Sequence, residues 1–129
     1  MRILLIGQKA FGADVLSALC EDKAEIAGVI VGTSDMDRED PVETVCQSRG
    51  IDFLKTNSLR KPEVFDWSRD KAPDLIVMAF VTLYMPMTIA ELAPLGTINF
   101  HPSLLPLHRG ISSLPWTILA GDKLAGLSV

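Results

Sequence analysis

The chain is poor in the features that mark several protein classes. It has only two cysteines, Cys20 and Cys46, far apart and outside any CxxC or metal-ligand spacing, so they are expected to be buried free thiols. Aromatic residues make up 6%. Every apolar run is broken well before the ~18 residues of a membrane helix, so no membrane association is expected. The start, Met1-Arg2-Ile3-Leu4-Leu5-Ile6-Gly7, has too short an apolar stretch for a secretory signal, which predicts a first strand and a cytoplasmic location. There is no basic block, and the net charge is −4, so general nucleic-acid binding is not expected. The loop Gly7–Gly12 is neither GxGxxG nor a Walker A loop, which argues against a dinucleotide-binding oxidoreductase. Thr33 to Asp40 is acidic but lacks the calcium-loop pattern, and no metal site is expected.

What remains is a globular balance, 48% apolar and 22% charged over 129 residues, enough for one domain. Apolar runs alternate with helical patterns. Strands are predicted at Arg2–Ile6, Glu25–Val31, Ile51–Leu54, Leu75–Val81 and Thr97–His101, with a sixth beginning at Ala125–Val129. Leu75–Val81, continuously apolar, is expected to be the central strand. Phe11, Val15 and Leu19 mark the buried face of a first helix up to Cys20. Asp40-Pro41-Val42-Glu43 reads as a capping box, with Val42, Val45 and Cys46 turned inward and Gly50 as the stop. Pro62 opens a helical turn with Val64, Phe65 and Trp67 inward. Another helix runs from Pro86 to about Ala93, and Ser112 or Ser113 caps a last one that ends at Gly121. The pattern predicts an α/β fold, a Rossmann-like open, mainly parallel sheet with helices on both faces.

The stretch richest in chemistry is Asn99-Phe100-His101-Pro102-Ser103-Leu104-Leu105-Pro106-Leu107-His108-Arg109-Gly110. It holds both histidines of the chain. If the strand reaches His101, its period of two puts Asn99 and His101 on one side, at the carboxyl end where open sheets bind ligands. Five of the eight prolines lie between Pro86 and Pro115, so stiff backbone surrounds this pair. His108 falls outside the same-side pair and is expected to be structural or at the surface. Asp122, after Gly121, is expected to be a turn residue, and Tyr84 and Trp116 packing residues.

The run Asn-x-His-Pro-Ser-Leu-Leu-Pro-x-x-Arg-Gly resembles the signature of the folate-dependent formyltransferases. The likeness extends to Arg2–Gly7, to Leu75–Pro86 and to Ser113–Asp122. His101-Pro102 and Leu107-His108-Arg109-Gly110 are most similar to the 10-formyltetrahydrofolate dehydrogenase type, whereas Asn99 is the commoner choice in transferases acting on amines. The resemblance implies transfer of a formyl group from 10-formyltetrahydrofolate to an amine, with Asn99 as oxyanion donor and His101 as acid–base group. Acyl transfer of this kind needs both. The resemblance places the folate against Leu83, Tyr84 and Met85 and against Ser103, Leu104, Leu105 and Pro106. Arg109 is left to hold an acidic group or to fix the loop. The acceptor is open among aminoacyl-tRNA, a sugar nucleotide and glycinamide ribonucleotide. Hydrolysis of 10-formyltetrahydrofolate, or a non-catalytic folate-binding module, are the alternatives. Residues 1–129 are expected to be the N-terminal domain of such an enzyme, incomplete at its C-terminal end. The family's third site residue, an aspartate after the sixth strand, would fall past Val129. The chain as given is therefore expected to be weakly active or inactive.

Overall fold

The computed structural model describes residues 1–129, which divide into two compact units, Met1–Ile98 and Asn99–Val129. The first carries β1 (Arg2–Gly7), α1 (Lys9–Glu21), β2 (Glu25–Gly32), α2 (Pro41–Arg49), β3 (Phe53–Thr56), α3 (Pro62–Asp70), β4 (Leu75–Ala79) and α4 (Met87–Ala90). A short β5 (Thr97–Asn99) spans the boundary, and the second unit holds α5 (Ser113–Leu119). The sheet order is β3-β2-β1-β4-β5. β1 pairs in parallel with β2 and β4, and β2 with β3. This is the Rossmann-like arrangement expected, except that β1, not Leu75–Val81, is the central strand.

Period-two alternation sorts the strand residues between two apolar layers. Leu4, Ile6, Ile30, Ile76 and Met78 pack with Val64 of α3 and Ile89 of α4. Leu5, Val29, Val31 and Ala79 pack on the other face with Ala13 and Leu16 of α1 and Val42 and Cys46 of α2. β1 is covered on both faces, which is why its residues form an unbroken apolar run.

Several expected boundaries move. The third strand is Phe53–Thr56 instead of Ile51–Leu54, and the fourth stops at Ala79 because Phe80 turns to φ 57°. The helix expected from Pro86 to Ala93 is a single turn, Met87–Ala90. On α1 the wholly buried positions are Gly12, Ala13 and Leu16, while Phe11 is exposed. Gly12 is where the helix comes closest to the sheet: a Cβ there would lie 3.1 Å from Val42 Cγ2 and 3.2 Å from the Gly7 carbonyl carbon. The Asp40 capping box and the left-handed Gly50 stop form as expected. Both thiols are free, Cys46 being buried.

Gly28 has a packing reason. Register shifts between Ile3 and Leu4, so that Leu4 faces Gly28, and a Cβ on Gly28 would lie 2.7 Å from Trp67 Cη2. The missing side chain lets the Trp67 ring of α3 lie against the strand.

Candidate functional site

In the first unit, β1, β4 and β3 all deliver their following loops to the carboxyl edge of the parallel sheet. β1 and β4 are neighbours that are not consecutive in the chain, so the strand order switches between them, the place where open sheets bind ligands. Gln8 follows β1 and is 4% exposed. Its Nε2 donates to Thr82 Oγ1 after β4 at 3.1 Å, which ties the two loops together. Two non-glycine residues with positive φ, Lys9 at 61° and Phe80 at 57°, flank this switch. Such backbone persists only where its surroundings hold it.

Beyond it, the turn after β3 and the loop after β4 enclose a recess of about 210 Å³ lined by Asn57, Ser58, Leu59, Arg60, Leu83 and Tyr84. The Arg60 guanidinium stacks over the Tyr84 ring at 4.4 Å from its centroid. Leu83 and Met85 pack against the apolar layer below, and Tyr84 is exposed instead of serving as core. The recess is smaller than the ~300 Å³ at the low end of ligand pockets, so it has room for one ring-sized group between apolar and polar side chains.

The second unit is built on a two-residue antiparallel bridge. His101 N–H donates to the Ser128 carbonyl at 2.9 Å, and Ser128 N–H returns a bond to the His101 carbonyl at 2.9 Å. This bridge is what forms where a sixth strand was expected. Because β5 ends at Asn99, the period-two argument that placed Asn99 and His101 on one side does not apply.

The proline-rich loop is fixed largely by hydroxyls. Ser103 is buried, and its Oγ donates to the Leu107 carbonyl at 2.8 Å. Ser128 Oγ donates to the Ser103 carbonyl at 2.8 Å and accepts from Leu105 N–H at 3.1 Å. Leu107 N–H closes a turn onto the Leu104 carbonyl at 3.0 Å. The Leu105–Pro106 peptide is cis. Leu104, Leu105 and Pro106 are exposed, as is Arg109, which makes no ion pair. Ser112 occupies the N-cap of α5 in a left-handed conformation, without the side-chain bond expected of a cap, and Trp116 is exposed instead of packed.

His101 Nε2 lies 3.1 Å from the His108 carbonyl oxygen. A carbonyl only accepts, so Nε2 carries the proton and, in the neutral ring, the lone pair is on Nδ1. The Asn99 side chain is exposed at the end of β5 and is bonded to no other group of the chain. The second unit thus carries Asn99, His101, Ser103–Pro106 and Arg109, while Leu83, Tyr84 and Met85 belong to the first. Three groups of contacts were absent from the sequence reading: Gln8 with Thr82, Asn57–Arg60 with Tyr84, and His108 with Asp122, whose Nε2 and Oδ2 are 2.6 Å apart. Only the first two had a signal, their position directly after predicted strands.

Comparison with known proteins agrees with this architecture. Residues 1–129 match the formyl transferase family throughout. The human mitochondrial 10-formyltetrahydrofolate dehydrogenase is 34% identical over 134 residues, covering 100% of this chain and 14% of that protein. The methionyl-tRNA formyltransferase of Geotalea daltonii is also 34% identical, covering 99% of this chain and 43% of that one. The chain therefore spans less than half the length of either relative. Among solved structures, a phosphoribosylglycinamide formyltransferase from Bacillus halodurans superposes with a TM-score of 0.80 at 20% identity, over 98% of this chain and 69% of that one. A formyltetrahydrofolate deformylase from Pseudomonas syringae gives 0.76 at 23%, over 98% and 44%. At these identities the structural likeness speaks for the fold alone. With a match that runs from the first residue to the last, the chain belongs to the formyl transferase family.

Proposed function

We propose that the protein takes the formyl group of 10-formyltetrahydrofolate and passes it to an amine, with Asn99 and His101 as its reacting side chains. The observation that carries the reading is the His101 ring, whose Nε2 is occupied by the His108 carbonyl at 3.1 Å, leaving Nδ1 as the one nitrogen able to accept a proton. When bound, the folate supplies an activated formyl carbon on a nitrogen leaving group. The amine attacks that carbon, and negative charge grows on the formyl oxygen. The Asn99 amide, with no partner of its own, donates to that oxygen, the role for which preorganised donors matter most. His101 takes the proton that the attacking nitrogen sheds and returns it to the folate nitrogen as the carbon–nitrogen bond breaks.

The folate is assigned to Leu83, Tyr84 and Met85 and to Ser103, Leu104, Leu105 and Pro106. In the first of these groups the recess supports the reading by its size and mixed lining. Arg109, unpaired, is available to an acidic group of either substrate. Hydrolysis is the second reading, since a relative of similar identity is named a 10-formyltetrahydrofolate dehydrogenase and not a transferase. The same residues then activate water. The test is to incubate the full-length protein with 10-formyltetrahydrofolate, with and without aminoacyl-tRNA, sugar-nucleotide and glycinamide-ribonucleotide amines. Formylated amine supports transfer, formate alone supports hydrolysis, and an unconsumed formyl donor in every arm contradicts both.

A further inference from the structure

We propose that His108 and Asp122 form a positioning pair that sets the tautomer of His101. The inference rests on the reading of His101 as the acid–base group. The relay is short. Asp122 Oδ2 holds His108 Nε2 at 2.6 Å, and the main-chain oxygen of the same His108 holds His101 Nε2 at 3.1 Å.

His108 sits at φ 50°, a left-handed conformation that a side chain other than glycine rarely adopts unless something holds it. Asp122 is that hold. An ionised carboxylate only accepts, so the His108 ring presents Nε2–H to it. The His108 side chain is 18% exposed and that of Asp122 31%, so the pair is only partly shielded from water. Arg109, next in the chain, makes no ion pair and does not compete for the carboxylate. Asp122 itself is placed by the end of α5, where its N–H donates to the Thr117 carbonyl at 3.3 Å and Gly121 turns at φ 70°. Release of the ring lets residue 108 return to an ordinary backbone region. The following peptide then rotates, and its carbonyl leaves His101. Both tautomers of His101 become accessible, and the share with its lone pair on Nδ1 falls.

The test reads the His101 ring directly. Two-bond ¹⁵N–¹H correlation spectra of the full-length protein, with the His101 signals identified by their loss in His101→Gln, report which ring nitrogen carries the proton. The wild type is expected to show a single Nε2–H form. His108→Ala and Asp122→Ala are expected to lose it in favour of a tautomer mixture, with circular dichroism unchanged. Asp122→Asn keeps an oxygen for the His108 ring and is expected to restore it. Turnover of 10-formyltetrahydrofolate should fall about tenfold in Asp122→Ala with KM little changed, since the effect is on proton transfer and not on binding. A His101 ring that stays in one Nε2–H form in both folded variants overturns the pairing. A ring that changes tautomer without loss of turnover upholds the pairing and contradicts the role of His101 in the reaction.

Discussion

The two carboxylate oxygens of Asp40 accept the Lys9 backbone N–H at 2.9 and 3.0 Å, so the cap of α2 also fastens the start of α1. The same side chain accepts Val42 N–H at 3.0 Å and is 2% exposed. Lys9 needs this partner because its backbone is left-handed where the chain turns from β1, through Gln8, into α1. Asp40→Ala leaves a buried donor at the start of α2 and a part-buried one at the start of α1 without their partner, and is expected to cost about 2–3 kcal/mol in urea unfolding, more than the ~1 kcal/mol of a simple cap. A loss near that of a simple cap shows that the Lys9 bond contributes little.

Gly28→Ala is expected to destabilise although it replaces glycine within a strand by a better strand former. Its Cβ meets Trp67 Cη2 at 2.7 Å, and the ring is wedged by Lys71, whose Nζ lies 4.6 Å from its centroid. The expected loss is about 1–3 kcal/mol, the usual range for overpacking. The double variant with Trp67→Leu recovers part of it if the clash is the cause.

Burial, with smaller contributions from Cys20 and Glu43, pushes the Cys46 thiol up to about 12 from an ordinary value near 9.0. Folding therefore favours the protonated thiol. Its stabilising contribution is complete below about pH 9 and is lost as pH rises towards about 12. Wild-type stability is expected to fall over that alkaline window more steeply than that of Cys46→Ala, measured by chemical denaturation. Parallel alkaline limbs contradict the assignment. In native protein at pH ~8, a thiol reagent is expected to modify Cys20 and leave Cys46 intact.

The stacked Arg60–Tyr84 pair bounds the recess assigned to part of the folate. Tyr84→Ala removes one wall and is expected to raise KM for 10-formyltetrahydrofolate about tenfold, with kcat changed far less, because the wall is distant in role from the proton transfer. A fall in kcat at unchanged KM places Tyr84 among the reacting groups instead.

Sequence legibility followed the range of the interactions. Asp40-Pro41-Val42-Glu43 and Gly50 were readable because caps are local chemistry, and the capping box formed with both its bonds. The parallel sheet was readable from alternating apolar runs. Strand ends were not. Phe80 and His101 lie past the last ladder bonds of β4 and β5, and only the sheet as a whole decides where pairing stops. Candidate-site residues fell the same way. Asn99 and His101 stood out within one contiguous motif. Asp122 lies 14 residues from His108, and α3 and β4 separate Arg60 from Tyr84, so each pair exists only once the chain is folded.

The central claim, that Asn99 and His101 do the chemistry, is tested most directly by 10-formyltetrahydrofolate turnover in full-length Asn99→Ala and His101→Ala. The account predicts kcat losses on the order of 10²–10³ in each, with little change in KM and in thermal midpoint. Turnover by His101→Ala within about twofold of wild type contradicts it.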